Sequence, residues 1–337
     1  MSIAPGGVAN ALGNVFRTQK VQVGTIPFVS GGSGSIDIPR GLLLKGIQLR
    51  ISGTATVGAA VLTSLLSENP LGLFQRVELT ADGRKPFFSS TGRLIYRQNQ
   101  ITHNWASELS SAITTAVGGP YAFSAMITID PAAYRTINPI SSFLDTRLFD
   151  SLKLNLTFGT VNNLGVIGGG TFVINAGCTV DVQAEYTTEG FEHVQFNKVM
   201  VTDEIAITAT QASLRLPVPR NGLLYSVLIQ SDRDSVVDDA LVNNVTLRSE
   251  NNVYHMDHLT WATLQARNTQ EFQLQTATIG GRVSGYAYHE LAEDFQVENA
   301  LDTSALNTLD LVFDVTLGAG TSRMLKILYT FYEPAAR

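Results

Sequence analysis

Charge is scarce in this chain. Asp, Glu, Lys and Arg together make up 15% of its 337 residues, against an apolar fraction of 44% and a mean hydropathy of +0.11. A typical soluble domain carries about 25% charged residues, so much of this surface is expected to be committed to contacts with other chains. The net charge of −6 argues against a protein whose main task is coating nucleic acid, and leaves room only for a local basic patch. One cysteine, Cys178, excludes an intrachain disulfide and a multi-cysteine metal site. No run of about 18 uncharged apolar residues is present, so no membrane-spanning helix is expected. The first residues lack a basic region followed by an apolar core, which points to synthesis and folding in a cytosol.

Catalytic signatures are missing as well. Ser-x-x-Lys, G-x-S-x-G, H-E-x-x-H and Walker loops do not occur, and Gly83-Arg84-Lys85 reads as a hairpin tip. Among the five histidines, His255 and His258 form an H-x-x-H at helix-compatible spacing. Zinc would want i, i+4 spacing and a third ligand, so surface or helix-cap roles are preferred. Asp232, Asp234, Asp238 and Asp239 form the one acidic cluster that suggests a hard cation such as calcium. Their loop lacks EF-hand spacing and its glycine, which favours a solvated loop. The sequons at Asn155 and Asn244 fall inside expected strands and are discounted. No enzyme activity and no cofactor are expected.

What is present is β-structure, written twice. Leu144–Phe158 (LDTRLFDSLKLNLTF) returns without a gap as Leu301–Val315 (LDTSALNTLDLVFDV). In each copy a Leu-Asp-Thr turn leads into strict alternation, Leu152-Leu154-Leu156-Phe158 and Leu309-Leu311-Phe313-Val315, the period of a strand with one buried face. Other matches flank this one in the same order. Residues 36–52 are echoed by 214–231 at an offset of about 180, where Pro219-Arg220-Asn221-Gly222-Leu223-Leu224 restates Pro39-Arg40-Gly41-Leu42-Leu43. Arg76–Leu79 is echoed by Asn244–Leu247, and Tyr186-Thr187 by Tyr329-Thr330. Phe87–Gln100 and Tyr254–Gln270 each predict a helix. Short strands separated by Gly, Asn, Ser and Pro indicate sandwiches rather than βαβ units. The fold class is therefore all-β, with two tandem β-sandwiches and short helices in the loops.

The shrinking offset between copies places longer loops in the first, at 52–68, 101–140 and 159–177. Gly31–Gly34 and Gly165–Gly170 read as exposed tips or hinges. Residues 1–19 stand apart as an N-terminal arm, followed by a first unit (20–190) and a second (191–337). In the arm Val8, Leu12, Val15 and Phe16 fall at helical spacing, followed by Arg17 and Lys20. A short amphipathic helix and an arm that orders only on packing both fit. Arg outnumbers Lys 17 to 6, which suits interfaces and equally suits a biased base composition.

Duplicated sandwiches with matching turn-and-strand marks, longer loops in the first copy and a short arm resemble the double jelly-roll major capsid proteins of tailless icosahedral viruses. Bacteriophages with an internal membrane are the nearest comparison. The resemblance implies two eight-stranded jelly rolls and homotrimeric, pseudo-hexameric capsomers tiling an icosahedral shell. It implies strands perpendicular to that shell and loops on its outer face. The arm, through Val8, Leu12, Val15, Phe16, Arg17 and Lys20, would meet an internal lipid membrane or neighbouring capsomers. Partners would be further copies of the chain, penton or spike proteins and minor capsid proteins, without sequence-specific nucleic acid. The location would be the virion, after synthesis in a host cytoplasm. The chain is short for such proteins, so tall towers are not expected. The alternative is a receptor- or glycan-binding β-sandwich spike or adhesin of a virion. That reading would want exposed aromatic clusters, and the chain has two tryptophans, Trp105 and Trp261, one in each copy.

Overall fold

In the computed structural model the repeated stretch ends, in both copies, in a seven-residue strand with the expected two-residue period. Leu152, Leu154, Leu156 and Phe158 are buried while Lys153 and Thr157 are exposed; Leu309, Leu311, Phe313 and Val315 are buried in the same way. Burying each such side chain stabilises the fold by roughly 1.5–3 kcal/mol. The structure describes residues 17–335 apart from 59–61, 67, 84, 104–106, 133–137, 221, 251–252, 273–282 and 293–295.

The first roll is built from β1 (Thr18–Pro27), β2 (Ser33–Asp37), β3 (Leu43–Val57), β4 (Phe74–Ala81), β5 (Lys85–Ser90), β6 (Gly118–Ile129), β7 (Leu152–Phe158) and β8 (Thr179–Thr187), with α1 (Gly92–His103) after β5. The second repeats it as β9 (Phe196–Ala206), β10 (Gln211–Pro217), β11 (Leu223–Arg233), β12 (Val242–Ser249), β13 (Val253–Thr260), β14 (Tyr286–Glu290), β15 (Leu309–Val315) and β16 (Arg323–Pro334), with α2 (Trp261–Glu271) after β13. The first roll stacks a β1-β8-β3-β6 sheet on a β5-β4-β7-β2 sheet; the second stacks β9-β16-β11-β14 on β13-β12-β15-β10. These are two eight-stranded jelly rolls of identical topology. One apolar cluster runs through both.

The two sequence motifs that repeat most clearly touch each other. In the first roll Leu43 and Leu44 pair with Asp145 and Leu144; in the second Leu223 and Leu224 pair with Asp302 and Leu301. The Thr146 hydroxyl donates to the Leu42 carbonyl at 2.6 Å, and the Thr303 hydroxyl donates to the Gly222 carbonyl at 2.6 Å. Arg40 reaches the Phe149 carbonyl, and Arg220 reaches that of Leu306 at 2.7 Å. Leu43 therefore corresponds to Leu223 and Leu42 to Gly222. The offset is a constant 180 across this motif.

Other expectations need adjustment. Tyr186 pairs with Leu44 and Phe331 with Leu224, so Tyr186 corresponds to Phe331 rather than Tyr329; bulges at Glu185–Tyr186 and Leu224–Ser226 lie beside the match. Phe87–Ser90 and Tyr254–Thr260 are strand, and the helices begin only at Gly92 and Trp261. The first-copy loops carry strands of their own. Leu62–Leu65 pairs with Gly165–Ile167, and Phe172–Ile174 pairs with the end of β3, so Gly165 opens a ladder and is not a free tip. Gly34 also lies within a strand, where a Cβ would sit 2.4 Å from Ile26 Cγ2. Asp82 and Gly83 both have positive φ, as a tight hairpin requires, and the Asp82 carboxylate accepts from the amides of Asp150 and Ser151.

Candidate functional site: the seam between the two rolls

The rolls share a sheet. β5 of the first runs parallel to β9 of the second, with Phe88 opposite Met200 and Ser89 opposite Val201. This joins β5-β4-β7-β2 to β9-β16-β11-β14 in one ten-stranded sheet that includes two short strands. Beside the joint, α1 is buried on two sides. Leu94, Ile95, Asn99 and Ile101 are buried, Asn99 donates to the Thr128 carbonyl of β6, and the helix also contacts β11. Under it, Leu228, Gln230 and Asp232 of β11 are all but fully buried. A strand this deeply covered on both faces is unusual in an antiparallel sheet, where one face commonly meets water.

The seam is held by charge. Glu68 forms ion pairs with Arg93 at 3.4 Å and with Arg97, and it accepts from the Tyr286 hydroxyl at 2.9 Å. Arg93 also lies 3.5 Å from Asp232, and Arg97 stacks over the Tyr286 ring at 5.2 Å. Side-chain exposure is 5% for Glu68 and 12% for Arg93. Burial disfavours the Arg93 cation, but Tyr286, Asp232 and Glu68 outweigh it and hold the guanidinium above its ordinary range. Burial pushes Asp232 up, partly offset by Arg93. Burial first, then Glu68, pushes Tyr286 well above its usual value, so it remains a neutral donor. A cavity of about 270 Å³ opens here, with Arg93, Asp232, Glu204 and Lys326 in its wall. A second buried group sits further along the seam. His103 and Lys198 lie 2.7 and 3.7 Å from Asp130, and burial lowers the Lys198 pKa.

The residues singled out in sequence are dispersed. Asp232 faces Arg93 in the seam, while Asp234 accepts from the amides of Thr321 and Ser322. Asp238 pairs with Arg233 at 2.7 Å, and Asp239 accepts from Trp261, Gln265, Ser284 and Gly285. Each carboxylate is engaged by protein donors, and the four do not converge on a cation. His255 and His258 lie on strand β13, not a helix; His255 bonds Ser249 at 3.2 Å and His258 bonds Asp257 at 2.5 Å. Among the described residues no group of three His, Cys, Asp or Glu is placed to hold a metal. Trp261 is buried, with its indole N–H on Asp239; Trp105 lies outside the described residues. So do Val8, Leu12, Val15 and Phe16. Arg17 is exposed just ahead of β1, which begins at Thr18, and Lys20 is an exposed residue of that strand.

Solved structures that resemble this chain include viral capsid proteins. The major capsid protein of Sulfolobus Turreted Icosahedral Virus superposes with a TM-score of 0.73 at 16% identity, covering 94% of this chain and 95% of that one. The major capsid protein of bacteriophage PM2 gives 0.63 at 11%, covering 95% and 99%, and a PBCV-1 capsid chain gives 0.65 at 12%, covering 94% and 93%. No protein-family model matches the chain, and no curated protein matches it in sequence. The fold is the double jelly roll of viral major capsid proteins.

Proposed function

We propose that the chain is the major capsid protein of an icosahedral virus. Three copies would form a capsomer with six jelly rolls in its outline, and such capsomers would tile a shell. The observation that carries this reading is the seam: two rolls of identical topology locked side by side by a shared sheet and buried ion pairs. That arrangement gives one chain the shape of two adjacent bricks. The low charge content suits interfaces on the order of 2,000–5,000 Å². In this reading residues 20–190 and 191–337 are the two bricks. The arm ahead of β1, which ends at Arg17 because Thr18 to Lys20 are already strand, meets a neighbouring capsomer or a lipid membrane beneath the shell. Penton, spike and minor capsid proteins would be the other partners.

The spike or adhesin alternative gains nothing from Trp261, which is buried. Light scattering coupled to size exclusion tests the reading. The expected mass is three times the 36.4 kDa chain, both for the intact protein and for a form lacking residues 1–16, with only the intact protein proceeding to shells. A stable monomer that binds glycans would overturn it.

A further inference from the structure

One lysine and one aspartate are buried against each other where the two rolls meet. Asp130 follows β6 of the first roll, and Lys198 lies in β9 of the second. Their side chains are only 2% and 8% exposed, and Lys198 Nζ stands 3.7 Å from Asp130 Oδ2. Two charges this far from water are costly to hold, because their attraction must offset the loss of both hydration shells. A neutral amide between the same two side chains removes that cost.

The surroundings are those of an acyl-transfer site. Asp130 Oδ1 accepts from the Ala132 amide at 2.8 Å, and His103 Nε2 lies 2.7 Å from Oδ2. Groups of this kind on both oxygens draw electrons from Cγ and stabilise the negative charge that an attack there creates. The amine is held ready for that attack, since Nζ also donates to the Ala132 carbonyl at 3.3 Å. Burial lowers the Lys198 pKa, which favours the free amine that acts as a nucleophile. Glu290, at the end of β14, acts on the Lys198 amine by its charge and lines the same small cavity. Tyr225, Tyr288 and Tyr332 wall that cavity, whose volume of about 20 Å³ is room for a single water.

We propose that Lys198 and Asp130 condense to an isopeptide, a covalent cross-link that ties the first roll to the second. The Nζ–Cγ bond forms, the Cγ–Oδ2 bond breaks, and Oδ2 leaves as water. Of the three hydrogens on the ammonium, one stays on the amide nitrogen and two leave in the water. Glu290 takes up a proton from the amine, and His103 delivers one to the departing oxygen. One positive and one negative charge disappear together, and nothing is oxidised or reduced. The amide N–H that remains keeps the Ala132 carbonyl as its acceptor. The bond lies within one chain and stands whether or not that chain builds shells.

The intact mass of the purified full chain tests the cross-link without any substitution. The unaltered protein should weigh less than its sequence by one water, and its digest should contain a branched peptide joining the segments of Asp130 and Lys198. Lys198→Arg, which keeps the positive charge but supplies no nucleophilic amine, should restore the full mass and lose the branched peptide. Asp130→Ala should do the same. Glu290→Gln should slow the joining by about a hundredfold, so that freshly made protein shows both masses. An unaltered protein at the full mass of its sequence would overturn the proposal. So would a missing water that fragmentation places elsewhere, such as a succinimide at Asp82-Gly83.

Discussion

Thr146 and Thr303 close the same gap in the two rolls, each tying the Leu-Asp-Thr turn to the chain entering the long central strand. Motifs of this kind were legible because a local contact demanded particular residues at a particular spacing. The Tyr-Thr match failed for the opposite reason. Both copies carry the same bulge, at Lys45 and at Tyr225, and a two-residue pattern in an alternating strand fits equally well two residues along; only the pairing of Tyr186 with Leu44 and of Phe331 with Leu224 fixes the match. The four aspartates show a further limit, since sequence proximity grouped them and the fold gave each its own donors. His289 on β14 illustrates a property that only packing reveals. Burial, then Arg267 and His255, lowers its pKa to about 4. A histidine depressed in the folded state and near 6.5 in the unfolded state contributes stability that is complete above 6.5 and declines as pH falls toward 4. Between pH 7 and pH 4, replacing His289 by Gln should remove on the order of 1–3 kcal/mol of acid destabilisation. Urea melts of the two proteins at a series of pH values measure this, and parallel pH profiles would refute it.

At the scale of elements, the strands announced themselves by alternation, and the turn between β4 and β5 by Asp82-Gly83. The helices begin later than the aromatic and amide pattern suggests, and the start signal is Thr91 in one copy and Thr260 in the other, whose hydroxyls accept from the first-turn amides of Leu94 and Thr263. The seam went unread, although it left a trace. Gly46–Ser52 alternates apolar and polar residues, whereas Ser226–Asp232 sets Leu228 among the outward positions and so carries apolar residues on both faces. A strand covered on both sides needs a second layer, and α1 of the other roll supplies it. Glu68 is the element-scale weak point because two arginines depend on it. Glu68→Gln should cost about 3–5 kcal/mol by leaving buried guanidinium charge unpaired. Denaturant melts would show the loss, and a variant as stable as the parent would mean that Asp232 and Tyr286 suffice to hold Arg93 and Arg97.

For the whole molecule, duplication is the property from which the rest follows. The seam uses the β5 edge of the first roll and the β9 edge of the second, while their counterparts β13 and β1 end their sheets among the described residues. In the proposed capsomer three such chains contribute six rolls. The low charge content is visible from composition, and the identical topology of the two rolls only from the strand pairing. The most direct measurement is electron cryo-microscopy of particles assembled from this chain. The account predicts six-lobed capsomers with threefold symmetry, each lobe one jelly roll. Capsomers with two lobes, or without threefold symmetry, would contradict it.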